Sequence, residues 1–137
     1  MSGYLQSPDE LVELLGIPFS SEQLTAITAP LAPGVIIAGA GTGKTTVMAA
    51  RVVWLVATGQ LRPDQVLGLT FTRKAALELS QRVDEALVKA DLVDPDHVAD
   101  EGRQLITTYD SFASRLISEH GLRIGVEADQ ILITGAT

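Results

Sequence analysis

The sequence predicts an α/β domain built on a parallel sheet, and three observations carry that reading. An apolar run, Val35-Ile36-Ile37-Ala38, breaks into the glycine turn Gly39-Ala40-Gly41-Thr42-Gly43 and then into a helical pattern opened by Lys44-Thr45-Thr46. Short apolar segments alternate with amphipathic helical stretches along the chain, the order that makes βαβ units. The first run carries no polar alternation, as strands buried on both faces of a parallel sheet do.

The elements follow in order. Ser7-Pro8-Asp9-Glu10 supplies an N-cap, a proline in the first turn and two acids at the positive end of a helix. Leu11, Val12, Leu14 and Leu15 give that helix its apolar stripe, and Gly16 to Pro18 ends it. A second helix begins near Ser20 or Ser21, runs through Glu22-Gln23-Leu24-Thr25-Ala26-Ile27, and is broken by Pro30 to Gly34. Val35 to Ala38 is expected as the first strand, buried on both faces. The helix after the glycine turn should reach Thr58, with Gly59 as its C-cap. Arg62-Pro63-Asp64 turns the chain into a strand at Val66 to Phe71. A long helix from Arg73 to Lys89 carries a stripe of Ala75, Ala76, Leu79, Val83, Ala86 and Leu87. The acidic, proline-containing stretch Asp91 to Gly102 reads as a surface connection. A short strand at Gln104 to Thr107, a helix from Asp110 to His120 closed by Gly121, and the apolar tetrad Ile131-Leu132-Ile133-Thr134 complete the pattern.

Composition bounds the function. At 137 residues the chain is one domain at most, and 46% hydrophobic with 20% charged residues places it among soluble globular chains. No apolar run approaches the roughly 20 residues that span a bilayer, and the N-terminus lacks a basic start followed by an apolar stretch. The cytoplasm is therefore the expected compartment. The absence of cysteine excludes disulfides, thiolate zinc sites and cysteine nucleophiles. His97 and His120 lie in separate segments and read as surface residues rather than metal ligands. A net charge of −7 opposes a nucleic-acid partner, since phosphate binding needs a basic footprint. The acids are concentrated, however: Asp84, Glu85, Asp91, Asp94, Asp96, Asp100 and Glu101 share one segment, and Arg73, Lys74 and Arg82 lie just before or within it. The field follows that local arrangement.

The glycine turn reads as a phosphate-binding loop. Gly39, Gly41 and Gly43 allow backbone dihedrals closed to other residues, so successive N–H groups can surround an anion. Lys44 adds the charge that should reach the β- and γ-phosphates, and the Thr45 hydroxyl is placed to ligate Mg²⁺. The strict pattern G-x-x-x-x-G-K-S/T would require glycine where Ala38 stands, so the match is to a relaxed form.

Four motifs in order then fit one family. Phe19-Ser20-Ser21-Glu22-Gln23 resembles the Q motif of UvrD/Rep/PcrA-type superfamily 1 DNA helicases. Ala38 to Thr46 is similar to that family's Ala-Gly-Ala-Gly-Thr-Gly-Lys-Thr phosphate loop. Leu69-Thr70-Phe71-Thr72-Arg73-Lys74-Ala75-Ala76-Leu77-Glu78-Leu79 resembles its motif Ia, and Thr108-Tyr109-Asp110-Ser111-Phe112-Ala113 its motif Ib. The resemblance covers residues 17 to 120. It implies that Gln23 hydrogen-bonds the adenine edge and that Gly39, Ala40, Gly41, Thr42, Gly43, Lys44, Thr45 and Thr46 hold Mg·ATP, with Lys44 also catalytic. It implies DNA contacts at Thr70, Phe71, Thr72, Arg73, Lys74, Thr108, Tyr109, Ser111 and Phe112.

Residue chemistry is compatible with these roles. A carboxamide can pair with adenine N6 and N7 together. A ring beside hydroxyl and cationic donors is what single-stranded nucleic acid needs. The residues alone also admit Gln23 as a surface glutamine, Phe71 as a core aromatic, Lys74 as a solvated helix residue, a simple Glu78–Arg82 pair, and motif Ib as packing and capping. Three positions depart from the family pattern. Arg73 stands where asparagine is frequent, Thr46 where an arginine stacks on adenine, and Asp110 where motif Ib has histidine. A carboxylate would repel phosphate, so Asp110 is read as the cap of the following helix. These departures look more like the RecB/AdnA-type branch of helicase–nucleases.

Hydrolysis further requires a strand-end Asp-Glu pair and arginines at the transferring phosphoryl group. Neither is recognisable; Gln104 to Asp110 resembles the former only superficially. The resemblance thus implies residues 1–137 to be the N-terminal part of the first RecA-like ATP-binding domain, a P-loop NTPase fold of three α/β/α layers whose parallel sheet is incomplete within this chain. The full-length parent would couple ATP hydrolysis to 3′-to-5′ translocation on single-stranded DNA in repair or recombination, this segment alone being inactive. A stand-alone nucleotide-binding module that neither hydrolyses nor unwinds is the alternative, with motif Ia only core. A small-molecule kinase is weaker, for want of a lid or acceptor signature. Oligomeric state is not legible.

Overall fold

The computed structural model describes residues 5–39, 41, 43–97 and 104–125. Among the described residues there are five helices and two strands: α1 Pro8–Leu15, α2 Ser21–Ile27, α3 Lys44–Ala57, β1 Leu67–Thr70, α4 Arg73–Lys89, β2 Leu105–Thr108 and α5 Tyr109–His120. Short 3₁₀ turns occupy Pro63–Gln65, Pro95–His97 and Gly121–Ile124. The strands are parallel, in register from Leu67 opposite Leu105 to Thr70 opposite Thr108, and α4 makes the crossover between them. Gly68 allows close packing across the pair, since a Cβ there would come within 3.1 Å of the Ile106 side chain.

Local signals account for the helix ends. The Ser7 hydroxyl accepts the Glu10 N–H, and Ser20 and Gln23 close a reciprocal capping box at α2. Past α3, Gly59 has φ +74°; its N–H and that of Gln60 return to Val56 and Leu55 carbonyls, a Schellman arrangement. Asp91 takes the same left-handed position after α4 at φ +57°, with Leu92 N–H bonded to the Leu87 carbonyl. The core lies among the first four helices. Leu11, Ile27, Val53, Val83 and Leu87 are its largest fully buried side chains, with Trp54 and Ile106 packed against it. The α5 helix rests on both strands and has no buried residue. No helix among the described residues is long and apolar enough to cross a membrane.

Three expectations change. Val35 to Ala38 forms no strand and is not buried: Val35 is 88% exposed and Ile37 94%. A strand exists only by hydrogen-bonding a neighbour, and among the described residues β1 and β2 pair with each other. Asp110 is not the cap of α5. Thr108 is, its hydroxyl accepting the Ser111 N–H at 3.1 Å, while Asp110 sits in the first turn where its charge complements the helix dipole. Gly121 closes α5 as expected at φ −58°, its N–H bonded to the Ile117 carbonyl, and the left-handed turn comes at Gly125, φ +79°. Arg82 reaches across to α3 rather than simply along its own helix. The tetrad Ile131 to Thr134 and the end of the acidic connection lie outside the described residues.

Candidate nucleotide and nucleic-acid sites

The first candidate site begins at two glycines that only glycine suits: Gly41 has φ +78° and Gly43 φ +79°. Ala40 and Thr42 lie outside the described residues. Gly43 is the N-cap of α3, with no side-chain hydrogen bond to the helix start. The first N–H groups of a helix have no partner within it, so a helix start without a side-chain cap can take an outside acceptor. Lys44, the first residue of α3, is exposed; Thr45 and Thr46 are half-buried. The Thr46 hydroxyl accepts from Arg82 Nη1 at 2.6 Å, so it is held toward α4.

Beside this turn lies a cavity of about 690 Å³, lined by Gln23 and Ala26 of α2, by Ile36 and Ile37, and by Lys44, Val47 and Met48 of α3. That volume is in the roughly 300–1,000 Å³ range of small-molecule sites. Gln23 is fixed in it. Its Oε1 accepts the Ser20 N–H at 2.8 Å, and its own N–H donates to the Ser20 hydroxyl at 3.1 Å. Nε2 lies 3.7 Å from where a Cβ on Gly43 would stand, so the carboxamide borders the phosphate turn. The capping-box pattern was readable in Ser20-x-x-Gln23.

Arg51 was not found by sequence reasoning. From α3 its guanidinium donates to the carbonyls of Ala29 at 2.7 Å, Ile27 at 3.0 Å, Pro30 at 3.1 Å and Ala26 at 3.4 Å. It thereby caps α2 and locks the helix bearing Gln23 onto the helix bearing Lys44. Its partners lie more than twenty residues away, and no local pattern announces them.

The second candidate site is at the carboxyl ends of β1 and β2. Phe71 is 90% exposed, not core, and its ring lies 5.2 Å from that of Tyr109, tilted by 33°. Arg73 and Lys74 follow, both exposed in the first turn of α4. The hydroxyls nearby hold local structure: Thr70 Oγ1 donates to the Thr72 carbonyl, Thr72 Oγ1 accepts the Ala75 N–H, and Thr108 Oγ1 donates to Ser111 Oγ. Thr108 is buried and Phe112 half-buried. Phe71, Thr72, Arg73 and Lys74 thus stand exposed, as do Tyr109 and Ser111, while Thr108 and Phe112 lie further in. No three His, Asp or Glu side chains gather into a metal cluster among the described residues.

An uncapped helix start behind a glycine turn, in a βαβ chain, defines the phosphate-loop class of α/β nucleotide-binding proteins. The chain belongs to the UvrD/REP helicase family, whose N-terminal domain matches residues 19–135. It is 35% identical over 115 residues to DNA helicase II of Haemophilus influenzae, covering 82% of this chain and 15% of that protein. It is 34% identical over 116 residues to the ATP-dependent DNA helicase PcrA of Staphylococcus epidermidis, covering 83% and 14%. A probable DNA helicase of Mycoplasma pneumoniae is 38% identical over 102 residues, covering 74% and 18%. The chain therefore spans less than a fifth of the length of these relatives.

Proposed function

We propose that this chain is the ATP-binding start of a DNA helicase that translocates 3′ to 5′ on single-stranded DNA in cytoplasmic repair or recombination. Gln23 reads the adenine edge, residues 39–46 hold the triphosphate, and Lys44 meets its terminal phosphates. The Thr45 hydroxyl fits Mg²⁺, which commonly takes one or two protein oxygens and completes its shell with phosphates and water; bound there, it would neutralise phosphate charge. The exposed Phe71–Tyr109 pair carries the DNA half of the reading. Unpaired bases stack on such rings, while Arg73 and Lys74 answer the phosphates. A core role for Phe71, needed by a nucleotide module without DNA, is not supported by its exposure.

The intact protein carrying this chain should hydrolyse ATP when single-stranded DNA is added and unwind duplexes with 3′ tails in preference to 5′ tails. DNA-independent turnover, or unwinding from 5′ tails alone, would refute the respective parts. Residues 1–137 by themselves should bind Mg·ATP with turnover at background, because among the described residues no Asp-Glu pair stands at a strand end. Phosphate release stimulated by DNA from this polypeptide alone would overturn that assignment.

A further inference from the structure

We propose that Met48 covers a face of the nucleotide's purine ring in the cavity beside Gln23, taking the place that the residue after Lys44-Thr45 would otherwise occupy. This rests on the nucleotide reading of that cavity. Residues at i, i+3 and i+4 share one helix face, and Lys44, Val47 and Met48 do so on α3, all lining the cavity with Gln23. Val47 is buried within the core, whereas Met48 stays 44% exposed, the one large apolar side chain of α3 left so among the described residues. Thr46 turns elsewhere. It lines a separate cavity of about 430 Å³ between α3 and α4, and its hydroxyl is engaged by Arg82 at 2.6 Å.

The chemistry suits a base. A methionine thioether is polarisable and adapts its three torsions to an aromatic face, and sulfur–aromatic contact is favourable. Gln23 can recognise only an edge, and its Oε1 is steadied by the Ser20 N–H. Ile36 and Ile37, exposed in spite of their apolar character, contribute further apolar wall to the same cavity. Edge recognition from α2 and face coverage from α3 would select a purine over a bare polyphosphate. The phosphates themselves would be untouched by Met48.

Calorimetric titration of the 137-residue chain with Mg·ATP and, separately, with Mg·tripolyphosphate tests this. Met48→Ala should weaken Mg·ATP roughly three- to tenfold, the scale of one sulfur–aromatic contact, and leave tripolyphosphate affinity unchanged. Met48→Leu, which keeps the apolar bulk without the sulfur, should fall between wild type and Met48→Ala, and Thr46→Val should leave the ratio of the two affinities unchanged. Equal loss for both ligands, no loss for either, or a ratio shifted by Thr46→Val would overturn the proposal. If wild type binds tripolyphosphate as tightly as ATP, the base makes no contribution and Met48 has no such role, while the phosphate loop stands. If wild type binds neither, the nucleotide reading falls and the proposal with it.

Discussion

The starts of α3 and α4 put the same arrangement to different uses. Each opens with cations at the positive end of a helix, Lys44 in one and Arg73 with Lys74 in the other, and neither has an acid in its first turn. The other helices do: Asp9 and Glu10 in α1, Glu22 in α2, Asp110 in α5. A cation there opposes the helix dipole, where an acid would contribute about 0.3–1 kcal/mol. Helix stability does not explain the choice; an anion at that end, as proposed above, would. The difference is in the cap. Gly43 offers α3 no side chain, so a phosphate can meet backbone N–H groups directly. Thr72 closes α4 by accepting the Ala75 N–H at 3.1 Å, so an anion there must be met by side chains. On the proposed reading, one end would take a compact triphosphate and the other spaced phosphates with bases stacked on Phe71.

The sharpest break in that comparison is at Lys44. Lys44→Ala should remove about 1.5–3 kcal/mol of Mg·ATP binding, the worth of a charge-assisted hydrogen bond, without lowering the melting temperature. A fluorescent ATP analogue titrated into both proteins reads the loss. Equal affinity would mean the α3 end is only a turn.

Phe71→Ala comes next, at about 1–3 kcal/mol of single-stranded DNA binding by the intact protein. Stability should barely change, because the ring is 90% exposed and contributes little to the core. A parallel melt by circular dichroism separates the outcomes: loss of several degrees with DNA affinity intact would return Phe71 to a packing role.

What the sequence disclosed follows from range. The bounds of α4, Arg73 to Lys89, were readable because its cap, Thr72, and its stripe through Leu79, Val83 and Leu87 all lie inside the segment. The strand character of Val35 to Ala38 was misread because apolarity is local and pairing is not. The exposure of Phe71 was open for a related reason: an aromatic at a strand end serves a core or a ligand equally until Tyr109 is brought beside it. Arg51 illustrates the same limit, since a guanidinium that caps another helix leaves no periodic trace. The left-handed glycines Gly41 and Gly43 and the start of α2 were legible because glycine dihedrals and helix caps are consecutive-residue properties.

Thr72→Ala tests the cap itself. Removing the hydroxyl should cost about 1 kcal/mol of stability, the usual worth of an N-cap, and open the start of α4. If that end is closed to backbone anion binding only by Thr72, the variant should lose stability yet keep its DNA affinity in the intact protein. A denaturant titration beside a binding isotherm decides; DNA affinity falling as far as stability would show that the threonine contacts DNA as well.

The smallest effect is expected at Lys74, and it is visible in salt dependence more than in affinity. If its ammonium answers one phosphate of a single strand, Lys74→Ala should flatten the slope of log K against log salt by roughly 0.7, the share of counterion release lost with that contact. Phe71→Ala should leave the slope unchanged, because stacking releases no counterion. The contrast is informative because Phe71 carries no charge, so the two variants separate stacking from phosphate contact. Arg73→Ala should behave as Lys74→Ala does, and the double variant should lose about twice the slope of either alone. If both slopes stay at the wild-type value while Phe71→Ala still weakens binding, the start of α4 presents a stacking ring without phosphate contacts, and the parallel between α3 and α4 reduces to their charge alone.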